Sequence, residues 1–203
     1  MPPIHEGQLD LSMQEFHIRQ AKYEDRFALA RILIDATHSA FRGRVPNQCL
    51  NWIDGEESAV NWGSTIETSH NQSGEYLYVA ELASLDVVGL VLAGRNSAES
   101  TMDPTLSEKY PTELTSLQID PAWHRMGIGR ELVRKVANAL LDTGSSNLLV
   151  RVLIDNPNLP FYQSLGAERV GTQDYDWEGY ITEEVILVWE DLQTLANGHE
   201  SNR

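Results

Sequence analysis

Two glycines separated by one residue, Gly127 and Gly129, stand where a run that alternates like a strand gives way to one that repeats like a helix. From Glu113 to Ile119 one pleat face carries Glu113, Thr115, Leu117 and Ile119, and the other carries Leu114, Ser116 and Gln118. Pro121, which has no N–H, ends the ladder. Leu132, Val133, Val136, Ala137, Leu140 and Leu141 then recur at helical spacing. Such a junction presents unpaired amides at the positive end of a helix dipole, a seat for an anion that requires no side chain. Local charge agrees, because the segment from His124 to Lys135 carries Arg125, Arg130, Arg134 and Lys135 against Glu131. Leu132 stands where a dinucleotide-binding fingerprint needs its third glycine, and no Gly-Lys-Ser or Gly-Lys-Thr is present, so neither common nucleotide motif applies. By itself a Gly-x-Gly pair fits a tight turn with no ligand as well as it fits an anion site.

The stretch from Glu113 to Val133 resembles the acyl-CoA site of the GNAT superfamily of N-acetyltransferases, whose core motif is Gln or Arg, two residues, Gly, one residue, then Gly or Ala. His124 fills the first slot, a departure from the pattern. A second stretch, Asn156-Pro157 followed by Phe161-Tyr162 and Leu165-Gly166-Ala167, resembles another run of the same family without gaps. The resemblance covers about Phe16 to Leu192. It implies a single-domain α/β (α+β) fold, a mostly antiparallel mixed sheet of six or seven strands with a central splayed parallel pair, flanked by helices.

It also implies acetyl-CoA as co-substrate and transfer of its acetyl group to a primary amine of a small molecule by direct attack in a ternary complex. His124, Arg125, Met126, Gly127, Ile128, Gly129 and Arg130 would hold the pyrophosphate, and Leu117, Gln118 and Ile119 would receive the pantetheine arm. The N–H of Ile119 or Leu117 would face the thioester oxygen. Asn156 would contact the cofactor or fix its loop. Tyr162 matches a tyrosine that acts as general acid near the sulfur, and a phenol titrating at about 10 is protonated at neutral pH. Against that stands its reading as a core aromatic beside Phe161. Glu113 matches a glutamate that deprotonates the amine, a task that needs burial or a neighbouring negative charge. A solvent-facing strand-end glutamate is the alternative, and Asp174, Asp176 and Glu178 are rivals for the role. A CoA-binding sensor without turnover and a peptide or protein N-acetyltransferase are the other functional readings.

Composition narrows the partners. The 203 residues carry 30 Asp and Glu against 15 Lys and Arg, a net charge of −15, so no broad basic stripe exists to bind nucleic acid. A small cationic amine suits this charge, as does a solvated acidic surface that only aids solubility. No long apolar run and no signal-like leader occurs, which argues for a soluble cytoplasmic protein away from membranes. The single cysteine, Cys49, permits no internal disulfide. Histidines at 5, 17, 38, 70, 124 and 199 show no metal-ligand spacing, so no metal site is expected. A homodimer is compatible with the chain.

The elements that must position these residues follow in order. Residues 1–14 read as a flexible leader, 15–193 as the acetyltransferase domain and 194–203 as a polar tail. Phe16 to Gln20 reads as a strand, and Tyr23 to Ala40 as a helix with Phe27, Ala30, Ile34 and Phe41 at near-helical spacing. Leu50 to Ile53 and Ser58 to Glu67 suggest helical pieces, with Trp52 and Trp62 packing on the first helix. In the family this helical region borders the acceptor site. Glu75 to Leu82 and Asp86 to Ala93 form a hairpin, and Asn96 to Tyr110 is a polar loop. Asn147 to Ile154 suits a buried parallel strand. Val170 to Tyr175 and Ile181 to Trp189 close the sheet as antiparallel strands joined by a loop from Asp174 to Tyr180.

Overall fold

A computed structural model describes residues 15–51, 54–71, 74–96 and 104–197. Seven strands form one sheet in the order β1-β2-β3-β4-β5-β7-β6. They are β1 Phe16–Gln20, β2 Tyr76–Leu82, β3 Val87–Arg95, β4 Thr112–Ile119, β5 Leu148–Leu153, β6 Glu168–Trp177 and β7 Tyr180–Trp189. The helices are α1 Arg26–Phe41, α2 Gln48–Asn51, α3 Gly55–Asn71, α4 Pro104–Lys109, α5 Ile128–Asp142, α6 Leu159–Ser164 and α7 Leu192–Asn197. Every neighbouring pair of strands is antiparallel except β4 and β5.

One face of the sheet is covered by α5, whose buried Ile128, Leu132, Val133, Val136, Ala137 and Leu140 meet Val91, Leu114, Val150 and Leu187. Each such Leu, Ile or Val side chain contributes roughly 1.5–3 kcal/mol when fully buried. On the opposite face α1 and α3 pack Leu29, Ile32, Trp62 and Ile66 against Leu77, Val79 and Leu90. Farther along that face Phe41, Val45, Cys49 and Leu50, around the α1–α2 connector, meet Trp177 and the partly buried Leu153 and Tyr180.

Several expectations change. Phe27 is exposed on the outer face of α1, with the Arg26 guanidinium over its ring, and the inward positions of α1 are Leu29, Ala30, Ile32, Ala36 and Phe41. The polar segment before β4 contains α4. The expected loop from Asp174 to Tyr180 is mostly strand, with a hairpin turn at Glu178 and Gly179 at φ 51° and 82°. At the C-terminus Leu195 and Ala196 are buried in α7, so packed structure runs past residue 193. The leader at 1–14 and Trp52 lie outside the described residues.

The central strand departs from simple alternation. Leu92 pairs with Ser116 and Ala93 with Leu114, leaving Thr115 as an extra residue, a β-bulge. The bulge shifts the phase, so that Leu114, Leu117 and Ile119 all reach the α5 side. Glu113 is thereby parted from Leu117 and Ile119, with which unbroken alternation would group it.

Candidate active site

Between β4 and β5 the parallel ladder comprises Glu113 with Leu149 and Leu114 with Val150. Beyond Leu114 the strands part. Leu117, Gln118 and Ile119 keep antiparallel partners in β3, at Val91, Leu90 and Gly89, and have no ladder partner on the β5 side. A wedge therefore opens in the middle of the sheet, with an unpaired strand edge along one wall.

At the mouth of the wedge a 3-10 turn, Pro121–Trp123, leads into the glycine junction. Arg125 takes φ 65° and Gly127 takes φ 81°. The first is uncommon outside glycine, and the second is the conformation in which a side chain costs about 1–2 kcal/mol. Among the described residues, the amides of Arg125, Met126, Gly127, Ile128, Gly129 and Arg130 donate to no protein acceptor, and the first amide engaged is that of Glu131, 3.1 Å from the Gly127 carbonyl. Unengaged amides at the head of a 15-residue helix form a seat for an anion. Gly129 packs closely as well, since a Cβ there would lie 3.2 Å from Phe161 Cζ and the ring would have to shift.

The side chains named from sequence divide. His124 Nε2 lies 3.1 Å from the Ile119 carbonyl, which can only accept, so the ring turns back onto the protein and takes up that carbonyl. Asn156 Oδ1 accepts the Asn158 N–H at 2.9 Å and fixes the turn before α6. Tyr162 lies in the core cluster that contains Leu114 and Val150, the last paired residues below the wedge. Its ring meets Phe161 edge-on at 5.3 Å, and burial pushes its phenol up to about 12. Such a group stays protonated across the physiological range and can give its proton to a departing thiolate.

Glu113, expected as the amine's base, is paired with a buried arginine. Its carboxylate lies 2.5 Å from Arg151 Nη1, with side chains only 9% and 4% exposed, and Arg151 Nη2 also donates to Asn96 Oδ1 at 3.1 Å. Of the rivals, Asp174 is an exposed strand residue, Asp176 accepts the Gly179 N–H at 2.7 Å, and Glu178 occupies the turn. Among the described residues no cluster of His, Cys, Asp and Glu could hold a metal ion, and no helix is long and apolar enough to cross a membrane.

Comparison with known proteins gives this geometry a family. A family model described as FR47-like protein matches residues 87–177, from β3 through β6. The uncharacterised N-acetyltransferase YuaI of Bacillus subtilis (strain 168) is 30% identical over 178 residues, covering 88% of this chain and 95% of YuaI. The chain belongs to the GNAT N-acetyltransferases. Solved structures share this GNAT fold. The PaiA N-acetyltransferase of Thermoplasma acidophilum, in complex with coenzyme A, aligns at TM-score 0.66 and 17% identity over 87% of this chain and 99% of its own. The Salmonella typhimurium protein yncA, with its cofactor acetyl-CoA, aligns at TM-score 0.61 and 16% identity over 87% and 94%.

Sequence reasoning overlooked polar residues of this GNAT chain on the sheet face opposite α5. Arg151 interrupts Leu148-Leu149-Val150 and Val152-Leu153, and Glu184 opens the apolar run Val185-Ile186-Leu187-Val188. A charge within a buried strand needs a partner, and that requirement was the available signal.

Proposed function

We propose that this enzyme transfers the acetyl group of acetyl-CoA to the primary amine of a small, cationic molecule in a ternary complex. One observation above all supports this: the unengaged amides from Arg125 to Arg130 stand at the mouth of a wedge whose wall is the Leu117-to-Ile119 edge of β4, which has no ladder partner in β5. Those amides would hold the diphosphate and that edge the pantetheine arm, while acetyl-CoA supplies an activated thioester. Tyr162 gives a proton to the departing sulfur. The preference for a cationic acceptor follows from the net charge of −15 and from the carboxylates of β6 and β7 beyond the wedge.

The test is free-thiol release from acetyl-CoA across a panel of primary amines, aliphatic and aromatic, single and multiple. Release with at least one small cationic amine is the expected result. Binding of acetyl-CoA without release across the panel would favour a CoA-binding sensor, and acetylation confined to peptides would move the acceptor to a protein terminus.

A further inference from the structure

On the sheet face opposite α5, polar side chains run diagonally from the apex of the wedge toward its open end. Glu113 stands at the apex beside Leu149. Arg151, two residues farther along β5, pairs with it. Glu184 on β7 lies opposite Leu153, two residues farther again, and its Oε2 accepts Gln173 Nε2 from β6 at 2.9 Å. Leu153, the neighbour of Glu184 across the β5–β7 ladder, packs against the cluster that holds Phe41 and Val45, so the α1–α2 connector meets the sheet beside Glu184. Tyr162 belongs to the opposite face, on the α5 side. A thioester in the wedge would thus have a proton donor below it and carboxylates above.

We propose that Glu184 is the group that binds the acceptor ammonium and takes its proton, with Glu113 and Arg151 as a fixed pair that positions the floor beneath it. The proposal rests on the transfer reading above. The observation that separates the two glutamates is their partners, a guanidinium for Glu113 and a neutral amide for Glu184. Glu184 therefore offers negative charge to an incoming cation, whereas the charge of Glu113 is balanced. Among the described residues Gln173 on β6 bonds to it, and Arg151 on β5, Glu113 on β4 and Tyr175 on β6 are within electrostatic reach. Burial raises the Glu184 carboxyl above its ordinary range, against the Gln173 hydrogen bond and the Arg151 charge, and the Glu113 charge adds to the rise. That direction brings a carboxylate toward the pH at which it can accept a proton and release it again.

The ammonium gives one proton to Glu184, and the freed nitrogen lone pair attacks the thioester carbonyl carbon as the carbon–sulfur bond breaks with its electron pair on sulfur. Tyr162 protonates the sulfur, the second nitrogen proton restores the phenol, and Glu184 releases its proton to solvent. The products are the amide and the free thiol.

The test compares wild-type protein with Glu184→Gln and Glu113→Gln on the best amine of the panel. Glu184→Gln keeps an oxygen for Gln173 and is expected to lower kcat/KM about 100-fold and to abolish the acid limb of its pH profile. It should also weaken binding of the amine to the CoA-saturated protein about tenfold by calorimetry. Glu113→Gln is expected to keep the acid limb but to move it to lower pH, because the Arg151 charge beside Glu184 is then unbalanced. A Glu184→Gln protein with kcat/KM within about threefold of wild type and an unchanged acid limb overturns the proposal, as does loss of that limb in Glu113→Gln alone. Wild-type protein that binds acetyl-CoA and acetylates no amine overturns the transfer reading itself, a result visible before any variant is made.

Discussion

Arg151 Nη1 and Glu113 Oε2 lie 2.5 Å apart across the apex of the wedge, joining β4 and β5 where their ladder ends. The pair bridges the two strands just before they separate, on the face opposite the α5 core. It ties the two strands together at that point.

Removing one member of that pair leaves the other charge buried. Arg151→Met is therefore expected to destabilise the fold by about 3–5 kcal/mol, and Arg151→Met combined with Glu113→Leu to recover most of that loss. Thermal unfolding should register the single variant as a fall of roughly 6–20 °C. A single variant within about a degree of wild type would remove the pair from the account.

Gly127→Val should impair cofactor binding rather than chemistry. The left-handed backbone at φ 81° disfavours any side chain, and a branched one would project where the diphosphate is expected to sit. Acetyl-CoA affinity by calorimetry should fall at least about tenfold. Unchanged affinity would place the phosphates elsewhere.

For Tyr162→Phe the expected result is the reverse: acetyl-CoA binding retained and kcat lowered about 100-fold. With the wild-type phenol pushed up to about 12, the acid form persists across the usual assay range, so no alkaline fall in rate due to this group is expected below about pH 10. Equal turnover in the phenylalanine protein would make Tyr162 a core aromatic.

How much of this could be read from the chain depended on whether local chemistry or tertiary contact decided each feature. The Gly127–Gly129 junction, the β2–β3 hairpin and the stripe of α5 are local and were legible. The bulge at Thr115 was not, because it is a mismatch between two strands and leaves no mark in either alone. Alternation therefore assigned Glu113 to the wrong set of neighbours, and its partner Arg151, 38 residues onward, was hidden within an apolar strand. The proximity of Glu184 to both was likewise invisible until β7 was seen to lie beside β5.

Acid should reach the fold through the other end of the sheet. Arg19 bridges Asp25 and Glu81. Burial opposes ionisation of Asp25, but hydrogen bonds from Arg19 and from the Lys22 N–H prevail, and the Arg19 hydrogen bonds hold Glu81 low against its own burial. Both carboxyls are thus depressed in the fold, so their stabilisation is present above their ordinary values and lost as pH falls through the folded ones. Arg19→Met should move the midpoint of acid unfolding to higher pH, and an unmoved midpoint would contradict this.

The central claim concerns the backbone amides at the head of α5 and along the open edge of β4. The most direct measurement is an amide 1H–15N correlation spectrum of the labelled protein during titration with acetyl-CoA. Saturable shifts concentrated at Arg125 to Arg130 and at Leu117 to Ile119 are the expected result. No saturation at millimolar acetyl-CoA, or saturation with those amides unmoved, would contradict it.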